Sequence, residues 1–453
     1  MASNGKVKSI LVAEQEIPVC YEADVLVVGG GPGGHSAAVA AARNGSKVVL
    51  LERYGHLGGM ASGGLVTLIH SLSDGTNDRV IAGLCQEWFD RLKKWGAIDC
   101  PAPEDVGSSD PAVLDKFRGI FFRCEGKLIY GSRVDSEILK CILNDMVQEA
   151  GVKLYLHSTV TDVIMEGGKL RGVIFESKSG RQAVLADMIV DASGDGDILA
   201  RTGCAFEHSI EASNRIATPA LCFEFGNVDW AKNEAYKEAN PKEHDALMVK
   251  LRELDGFSMY FKTTTNRDTV CHFNMFLKGY DVLKVEDLTR LEVDVRQRMM
   301  VTYKFFRENI PGFENCFIMI TAPQVGVRGS RRLLGEYRME EKDALSGIIF
   351  DDTIAEFPPL KGNSPEQPHV FIPLRALLPT EVENLVVAGR TFSSDEVVNE
   401  HFNTISHCIT MGQAVGTACA MAVFAKIPLR EVNIGALRKK LVEDGAKFSS
   451  IAT

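Results

Sequence analysis

The chain has 453 residues, of which 45% are hydrophobic and 24% charged, and a formal net charge of −10 at pH 7. This length exceeds what one hydrophobic core holds and suits two intertwined domains. The acidic balance, with no basic cluster in the sequence, excludes nucleic acid and an anionic membrane surface as expected partners.

The cysteines and the N-terminus indicate the compartment. The 11 cysteines include no C-x-x-C pattern, as expected of reduced thiols in a cytoplasmic protein. Residues 1–20 are too polar for a signal peptide, and no apolar run approaches the roughly 18 residues that a spanning helix needs. We therefore expect a cytoplasmic protein without direct membrane insertion, and the residue pattern predicts no metal site.

The first predicted unit is a strand, helix and strand around a glycine-rich turn. The apolar run 25–28 leads into the glycines of residues 29–34, the small-residue stretch 36–43 predicts a helix, and 47–51 is a second apolar run ending at Glu52. This is G-x-G-x-x-G in the βαβ setting that binds a dinucleotide. The glycines permit the tight turn, the approach of a pyrophosphate and close helix packing, while Glu52 is placed to accept ribose hydroxyls.

A second glycine pair, Gly58 and Gly59, follows the acidic residue, and His70 lies in the apolar stretch after it. His70 either borders the cofactor or packs in the core. Further along, residues 80–95 show helical periodicity, and a helix is predicted from about 137 to 151.

Strand signals then alternate with turns as far as residue 197. The segments 152–157, 159–165, 170–176 and 183–185 predict a β-meander. The segment 186–192 predicts a separate strand that leads into the glycine- and aspartate-containing motif at residues 193–197. In that last motif the glycines let the backbone pass near a cofactor, while the aspartates either cap the next helix or bind.

Residues 205–373 show little of the alanine- and glycine-rich packing pattern of the earlier segments. They predict an inserted substrate domain, with strands at 218–226 and 270–277 and a long helix at 285–307. Within it, residues 326–332 carry three arginines in a glycine-containing segment. Arg328 either binds an anionic substrate or cofactor phosphate, or the arginines pair with nearby glutamates.

The chain returns at residues 384–390, an apolar strand pattern ending in glycine, and a small-residue helix is predicted to start at Met411. The N-terminal amides of that helix would favour negative charge on a cofactor. A tight helix–helix crossing is the alternative explanation of its glycines.

Together with the motifs at 191–197, 326–336 and 384–420, the glycine pattern resembles the flavoproteins with two dinucleotide-binding domains, in which a second glycine pair accompanies FAD. More narrowly, nearly the whole chain is similar to the bacterial FAD-dependent oxidoreductase family, itself distantly similar to the flavoprotein subunits of fumarate reductase and succinate dehydrogenase.

The resemblance implies an α/β fold, with a Rossmann-like FAD-binding domain of the glutathione-reductase type assembled from discontinuous segments and an inserted α+β substrate domain. The FAD-binding parts are expected at residues 20–75, 133–205 and 376–453. Residues 76–132 form a cap segment, and 206–375 form the substrate domain.

The motifs and the resemblance together give a set of residues expected to bind FAD. They are Gly29, Gly31, Pro32, Gly33, Gly34, Glu52, Arg53, Gly58, Gly59, Met60, Ser62, Gly63, Val160, Ala192, Ser193, Gly194, Asp197, Gly389, Arg390, Met411, Gly412, Gln413 and Gly416. We expect non-covalent binding, although His56 and His70 are near enough in sequence to consider for covalent attachment.

The segment 396–410 connects a cofactor-binding strand to a cofactor-binding helix, so its polar groups are candidates for proton transfer. His401, Asn403 and His407, joined by Arg328, are the predicted catalytic residues, because histidine suits an alcohol proton near neutral pH. The segment departs from the family pattern, which has an arginine near position 403. A structural role for His401 and Asn403 stays open.

Two enzymatic hypotheses follow. The first is hydride transfer from a small hydroxylated or amine substrate to FAD, assisted by a histidine. The second is a fumarate-reductase-like reduction of an activated C=C bond, with arginine polarising a carboxylate or ketone. A non-catalytic flavoprotein is disfavoured because every cofactor glycine is retained.

Partners follow from the same residues. The sequence contains no second G-x-G-x-x-G, so a dedicated NAD(P)H domain is not expected. Besides a small-molecule substrate, this leaves an electron-carrier protein, a quinone or oxygen as the electron partner, and a homo-oligomer as the assembly.

Overall fold

A computed structural model describes residues 10–12, 14–74, 79–117, 123–124, 126–208, 218–257, 259–263, 267–360 and 366–451. Its helices are α1 (Pro32–Arg43), α2 (Leu84–Lys94), α3 (Pro111–Leu114), α4 (Ser136–Glu149), α5 (Asp197–Arg201), α6 (Trp230–Ala239), α7 (Pro241–Glu253), α8 (Val285–Asn309), α9 (Glu341–Ser346), α10 (Glu396–Phe402), α11 (Ile405–Ala425) and α12 (Ile434–Glu443).

Its strands are β1 (Val19–Val28), β2 (Val48–Leu51), β3 (Leu68–Ile69), β4 (Ile98–Asp99), β5 (Arg123–Cys124), β6 (Lys127–Leu128), β7 (Ser132–Val134), β8 (Lys153–Tyr155), β9 (Thr159–Glu166), β10 (Lys169–Ser177), β11 (Gly180–Asp191), β12 (Phe206–His208), β13 (Ala220–Gly226), β14 (Tyr260–Lys262), β15 (Cys271–Phe276), β16 (Phe317–Thr321), β17 (Arg331–Leu333), β18 (Thr353–Phe357), β19 (Val370–Pro373) and β20 (Leu385–Val387).

A mainly parallel sheet combines strands from the first half of the chain with β20, which comes much later. β1 pairs in parallel with β2 on one side and with β11 on the other, β8 lies beside β2, and β20 pairs in parallel with the end of β11. The four residues of β2 and the three of β20 are all buried, as strands covered on both faces should be. This arrangement confirms the predicted α/β, Rossmann-like fold class.

The predicted meander is present, but its last strand is longer than expected. β9 and β10 pair antiparallel, and β10 pairs with the first half of β11, whose second half continues into the parallel sheet. The prediction of two strands, at 183–185 and 186–192, was wrong. No glycine or proline interrupts residues 183–191, so one strand serves both pairings.

Helices α1 and α11 cross in close backbone contact. A Cβ on Gly412 would lie 2.1 Å from the carbonyl oxygen of Gly33, and one on Gly416 would lie 2.1 Å from that of Ala37. The alternative explanation for these glycines, a tight helix crossing, is therefore what the structure contains. Since α11 begins at Ile405, the prediction that it starts at Met411 was wrong.

Helix α11 contradicts the expectation that no apolar run is long enough to span a membrane. Among the described residues it is long and apolar enough to cross a membrane by length and composition, with a mean hydropathy of 1.5. However, 72% of that apolar stretch is buried inside the protein. Burial of this extent is typical of a core helix.

A second hydrophobic cluster lies around an antiparallel sheet of order β14-β15-β13-β16. Its aromatic side chains include Phe223, Phe225 and Phe273, with Phe306 of α8 packed against them. Residues 333–374, which the predicted division assigns to the substrate domain, contribute buried side chains to the first cluster instead. The domain limits themselves stay a prediction.

Candidate active site

The glycine turn between β1 and α1 has one crowded side and one open side. A Cβ on Gly29 would lie 2.3 Å from the Ala192 carbonyl oxygen, and one on Gly34 would lie 1.8 Å from that of Gly29. At Gly31, by contrast, the nearest atom to an added Cβ is the Gly59 Cα at 4.0 Å. The turn therefore packs tightly on its sheet side and leaves backbone accessible, as a bound pyrophosphate requires.

A cleft of about 100 Å³ opens beside this turn. We call it the cofactor cleft. Thirteen of the residues expected to bind FAD line it: Gly29, Gly31, Pro32, Gly33, Glu52, Arg53, Gly59, Met60, Ala192, Ser193, Gly194, Gly389 and Arg390. The lining residues that the sequence did not single out for the cofactor are Tyr54, Gln324, Ala388, Asn403, Ile405 and Cys408.

Glu52 lies at the end of β2 in the cofactor cleft, and its two carboxylate oxygens contact backbone amides. Oε2 accepts a hydrogen bond from the Gly30 amide at 2.6 Å, and Oε1 accepts one from the Tyr54 amide at 2.8 Å. Burial raises the pKa of Glu52, while these two amides oppose the shift. The carboxylate is thus held in a fixed position where a ribose diol can reach it.

A buried ion-pair cluster closes another part of the cleft. The Asp195 carboxylate accepts a hydrogen bond from Arg390 Nη2 at 2.9 Å and from the Ser330 hydroxyl at 2.8 Å, with Arg53 Nη2 at 3.5 Å. Burial by itself would raise the pKa of Asp195, but the charges of Arg390 and Arg53 outweigh it and hold the pKa below its ordinary value. Asp195 thereby positions two arginines that line the cleft.

Asp197 was predicted to bind FAD, but neither Asp197 nor Asp195 is among the described residues that line the cleft. Asp197 is the first residue of α5 and contacts Arg331 Nη1 at 3.3 Å. The cap of α5 comes from Asp191, whose Oδ2 accepts from the amides of Ile198 and Leu199, both at 2.9 Å. Asp195 reaches the cleft only through Arg53 and Arg390, a role that the spacing of the three aspartates does not indicate.

Several other residues expected to bind FAD lie outside the cleft lining. They are Gly34, Gly58, Ser62, Gly63, Val160, Asp197, Met411, Gly412, Gln413 and Gly416. Local contacts occupy some of them: Ser62 donates to the Leu57 carbonyl oxygen, and Gln413 bonds the Leu84 amide at 2.9 Å and the Asp444 carbonyl oxygen at 3.1 Å. Their position outside the lining does not support direct cofactor contact.

A second cavity, also of about 100 Å³, adjoins the cofactor cleft. We call it the substrate cavity. It shares Met60, Arg390, Asn403 and Ile405 with the cleft. Its remaining lining residues are Val66, Leu68, His70, Ala220, Cys222, Asn274, Gly326, Val327, Arg328 and Thr404. A ligand there would lie next to the part of the cofactor that reaches these shared residues.

Of the four predicted catalytic residues, Arg328 and Asn403 lie together in the substrate cavity. The side-chain amide of Asn403 donates to the Arg328 carbonyl oxygen at 3.3 Å, and the Arg328 guanidinium lies over the Phe276 ring, 4.7 Å from its centroid. His70 joins them: its carbonyl oxygen accepts from Ser406 Oγ at 2.9 Å, and its Nδ1 lies 2.8 Å from Ser71 Oγ.

The other two predicted catalytic residues, His401 and His407, do not line either cavity. His407 is buried between Phe357 and Phe402, with ring centroids 4.4 and 5.1 Å away, and its Nδ1 bonds the Thr404 hydroxyl. Burial, with smaller effects of His70 and His401, holds the pKa of His407 well below its ordinary value. His401 is exposed, with Nδ1 2.8 Å from the Val397 carbonyl oxygen. The expected convergence of all four residues is therefore not what the structure contains.

The substrate cavity is rich in hydrogen-bond donors. Its polar lining consists of arginine, histidine, asparagine, threonine and cysteine side chains, and no carboxylate is among the described residues that line it. Such a wall suits a ligand with a carboxylate or carbonyl oxygen.

The chain is similar to known reductases and monooxygenases. It is 27% identical over 273 residues to digeranylgeranylglycerophospholipid reductase 2 of Methanothermobacter thermautotrophicus, covering 58% of this chain and 64% of that protein. It is also 27% identical over 173 residues to digeranylgeranylglycerophospholipid reductase of Methanocella arvoryzae, covering 38% of this chain and 39% of that protein. The match thus spans less than two thirds of the length of either relative.

The structure of p-nitrophenol 4-monooxygenase PnpA from Pseudomonas putida is similar over 93% of this chain and 86% of that chain, with 12% identity and a TM-score of 0.49. Residues 24–441 match the protein family described as FAD dependent oxidoreductase. Because that match includes the glycine turn, both cavities and the returning strand β20, the chain belongs to the FAD dependent oxidoreductase family, and FAD is its cofactor.

Proposed function

We propose that this enzyme transfers a hydride between FAD and a small hydroxylated organic compound bound in the substrate cavity. The observation that carries the proposal is the shared wall, because Met60, Arg390, Asn403 and Ile405 line both the cofactor cleft and the substrate cavity. FAD, when bound, supplies the two-electron acceptor for the hydride. The residues of the chain supply binding, orientation and proton transfer.

Arg328 and Asn403 are proposed to hold the substrate by an oxygen function next to the reacting carbon. A guanidinium binds a carboxylate or carbonyl oxygen with parallel hydrogen bonds. The same charge opposes a cationic amine, so the cavity favours a hydroxylated substrate over an amine. Of the two substrate classes that the sequence left open, hydroxylated compounds and amines, we therefore propose the hydroxylated compounds.

His70 is proposed to take the hydroxyl proton in place of His401 and His407. It is the histidine among the described lining residues of the substrate cavity, whereas His407 is enclosed by aromatic rings and His401 faces solvent. A positioned base of this kind contributes about 10²–10⁴-fold to the rate.

The start of α11 supports the placement of FAD. Ile405, its first residue, lines both cavities, so the positive end of this 21-residue helix points to the region between them. Backbone amides at a helix N-terminus favour negative charge. Negative charge on the part of bound FAD nearest the start of α11 would therefore be stabilised by this helix.

A second candidate function is reduction of an activated C=C bond. Arg328 favours it, because a guanidinium bound to a carboxylate or ketone polarises a conjugated double bond. In that direction the substrate gains a hydride at one carbon and a proton at its neighbour.

We propose a cytoplasmic enzyme with a separate electron partner. Ten cysteines of the described residues are free thiols, which suits a reducing cytoplasm. An electron-carrier protein, a quinone or oxygen would complete the electron transfer, and a homo-oligomer is the proposed assembly.

Anaerobic mixing tests the function. Holoenzyme is mixed without oxygen with hydroxy acids, neutral alcohols and amines, and photoreduced enzyme is mixed with enoates, while the flavin absorbance near 450 nm is followed. Bleaching by a hydroxylated compound supports the first candidate, and recovery of colour with an enoate supports the second. If no compound of any class changes the flavin, the proposal of hydride exchange with this cavity fails.

A further inference from the structure

One face of the sheet next to the substrate cavity carries a thiol, an imidazole and a carboxylate. Cys222 and Glu224 are two residues apart on β13, so they share a face, and β15 places Asn274 opposite Cys222 and His272 opposite Glu224. The other face carries the aromatic core around Phe223. A sheet face that served only for packing would not need these three polar side chains.

The three side chains form a chain of contacts that ends at the cavity. Cys222 lines the substrate cavity, and Cys222, His272 and Glu224 are each 2% exposed. His272 Nδ1 is 3.3 Å from Glu224 Oε1. Burial by itself lowers the pKa of His272, but its hydrogen bonds with Cys222 and Glu224 raise it to about 9.

The surrounding groups leave the carboxylate of Glu224 directed at the imidazole. The nearest cation is Arg267, whose Nη1 lies 3.5 Å from Glu224 Oε2 but whose guanidinium is bound by both oxygens of Asp135, at 2.7 and 2.9 Å. The ring of Phe261 covers His272, with centroids 4.8 Å apart. The Phe261 ring and the low exposure of His272, 2%, keep this imidazole largely out of solvent.

We propose that Cys222 is a nucleophile of the substrate cavity, activated by His272 and oriented through Glu224, and that it takes an aldehyde as its ligand. A nucleophile next to a base that a third group orients is the arrangement required for covalent catalysis. The thiolate, which a neighbouring imidazolium stabilises, is the reactive form of cysteine. This inference rests on the proposed hydride transfer and extends it to a second substrate class.

The step balances with groups already assigned. The Cys222 sulfur attacks the carbonyl carbon, a C–S bond replaces the C=O π bond, and the oxygen takes a proton from His272. The product has the H–C–OH unit of a hydroxylated substrate, whose hydroxyl proton goes to His70, and bound FAD would supply the two-electron oxidant that accepts its hydride. Water then cleaves the thioester, which yields a carboxylic acid and restores the thiol.

Alkylation of the FAD-loaded enzyme tests the thiol without a known substrate. The holoenzyme is treated with iodoacetamide at pH 7, and modified cysteines are identified by peptide mass spectrometry. Cys222 should be alkylated, and His272→Asn should slow that alkylation by about tenfold or more. His244→Asn is the matched control, because His244 lies in the same part of the chain but contacts Tyr260. Equal rates in wild type and His272→Asn, or no modification of Cys222, would overturn the proposal.

Flavin reduction tests the aldehyde. Cys222→Ser keeps the His272–Glu224 pair and should retain FAD but lose bleaching by aldehydes. Bleaching by aldehydes at the wild-type rate in Cys222→Ser contradicts the covalent step and leaves hydride transfer standing. If wild type bleaches with hydroxy acids but with no aldehyde, the aldehyde is the wrong ligand. If hydroxy acids also fail while alkylation depends on His272, the proposed function fails and the activated thiol stands.

Discussion

The side-chain amide of Asn403 donates to the backbone carbonyl oxygen of Arg328 at 3.3 Å. This bond joins the turn between α10 and α11 to the segment that precedes β17, two parts of the chain that meet at the substrate cavity. It fixes the backbone of the residue whose guanidinium is proposed to hold the substrate. The predictions below test this site and the packing that supports it.

Arg328→Ala should raise the KM for an anionic substrate by about ten- to a hundredfold, since it removes a charge-assisted hydrogen-bonding group. FAD content should not change, and kcat should change little. Steady-state kinetics with a hydroxy acid and with its neutral alcohol analogue measure this. Arg338→Ala is the control, because Arg338 is exposed and pairs with Glu207. An equal effect on the neutral analogue would contradict the proposed contact.

His70→Asn should slow flavin reduction by about 10²–10⁴-fold, as loss of a general base does. His401→Asn should have no such effect, because His401 is exposed and its Nδ1 lies 2.8 Å from the Val397 carbonyl oxygen of its own helix. Stopped-flow absorbance under anaerobic conditions gives both rates. Slow reduction in His401→Asn with a normal rate in His70→Asn would restore the original sequence-based assignment.

Glu52→Arg should give largely apo-protein with a near-normal fold, because it puts a positive charge where ribose hydroxyls need an acceptor. The ratio of flavin to protein absorbance, and the FAD released on heating, measure occupancy. Glu22→Arg, at an exposed position of β1, is the control. Full FAD content in Glu52→Arg would show that Glu52 is not the ribose ligand.

The contact between β18, β19 and the C-terminal segment should depend on pH. Glu356 accepts from His369 Nδ1 at 2.6 Å and from the Ser449 amide at 2.8 Å, and His369 Nε2 lies 3.3 Å from Asp74. Burial opposes the charge on both groups, but their mutual hydrogen bond prevails, which raises the pKa of His369 and lowers that of Glu356.

The His369 contribution is therefore complete below its unfolded pKa of about 6.5 and declines as the pH rises through the raised folded value. The Glu356 contribution is complete above its unfolded value of about 4.3 and declines as the pH falls through the lowered folded value. Thermal unfolding from pH 4 to 9 should show His369→Gln destabilised most between these limits, by about 1–3 kcal/mol. A constant difference across the whole range would contradict this origin.

Gly416→Ala should destabilise the protein by about 1–3 kcal/mol, because the added Cβ meets the α1 backbone and overpacks the crossing. Gly435→Ala on α12 is the control: its Cβ would lie 3.4 Å from Asn433 Oδ1, an ordinary contact distance, so only helix propensity changes. Urea unfolding of the two variants gives the comparison. Equal stability would show that α1 and α11 can separate without cost.

Much of the parallel sheet could be predicted because its strands are short apolar runs that end in glycine or an acidic residue. The segments 25–28, 47–51 and 384–390 carried that signal, and all three became strands of one sheet. The start of α11 was missed because residues 405–410 mix β-branched and polar side chains, which have weak helix propensity. Burial against α1 decides the helix there, and the local sequence does not contain that information.

The catalytic histidines were misplaced for a related reason. Chain topology indicates that residues 396–410 pass the cofactor, but it does not give the direction of each side chain. On a helix, consecutive residues point about 100° apart, so a small difference in where α10 and α11 begin sends His401 to solvent and His407 into the core. The group around Cys222 could not be found at all, because its members lie on two strands whose register is set only by folding.

The crossing of α1 with α11 also sets the order in which the cofactor site can be made during synthesis. Residues 32–43 are translated early, yet the helix that packs against them is residues 405–425. Bringing such distant segments together costs chain entropy that is recovered only after contact forms. A ribosome-bound chain arrested before residue 405 should therefore hold FAD poorly, and flavin loading should follow synthesis of α11.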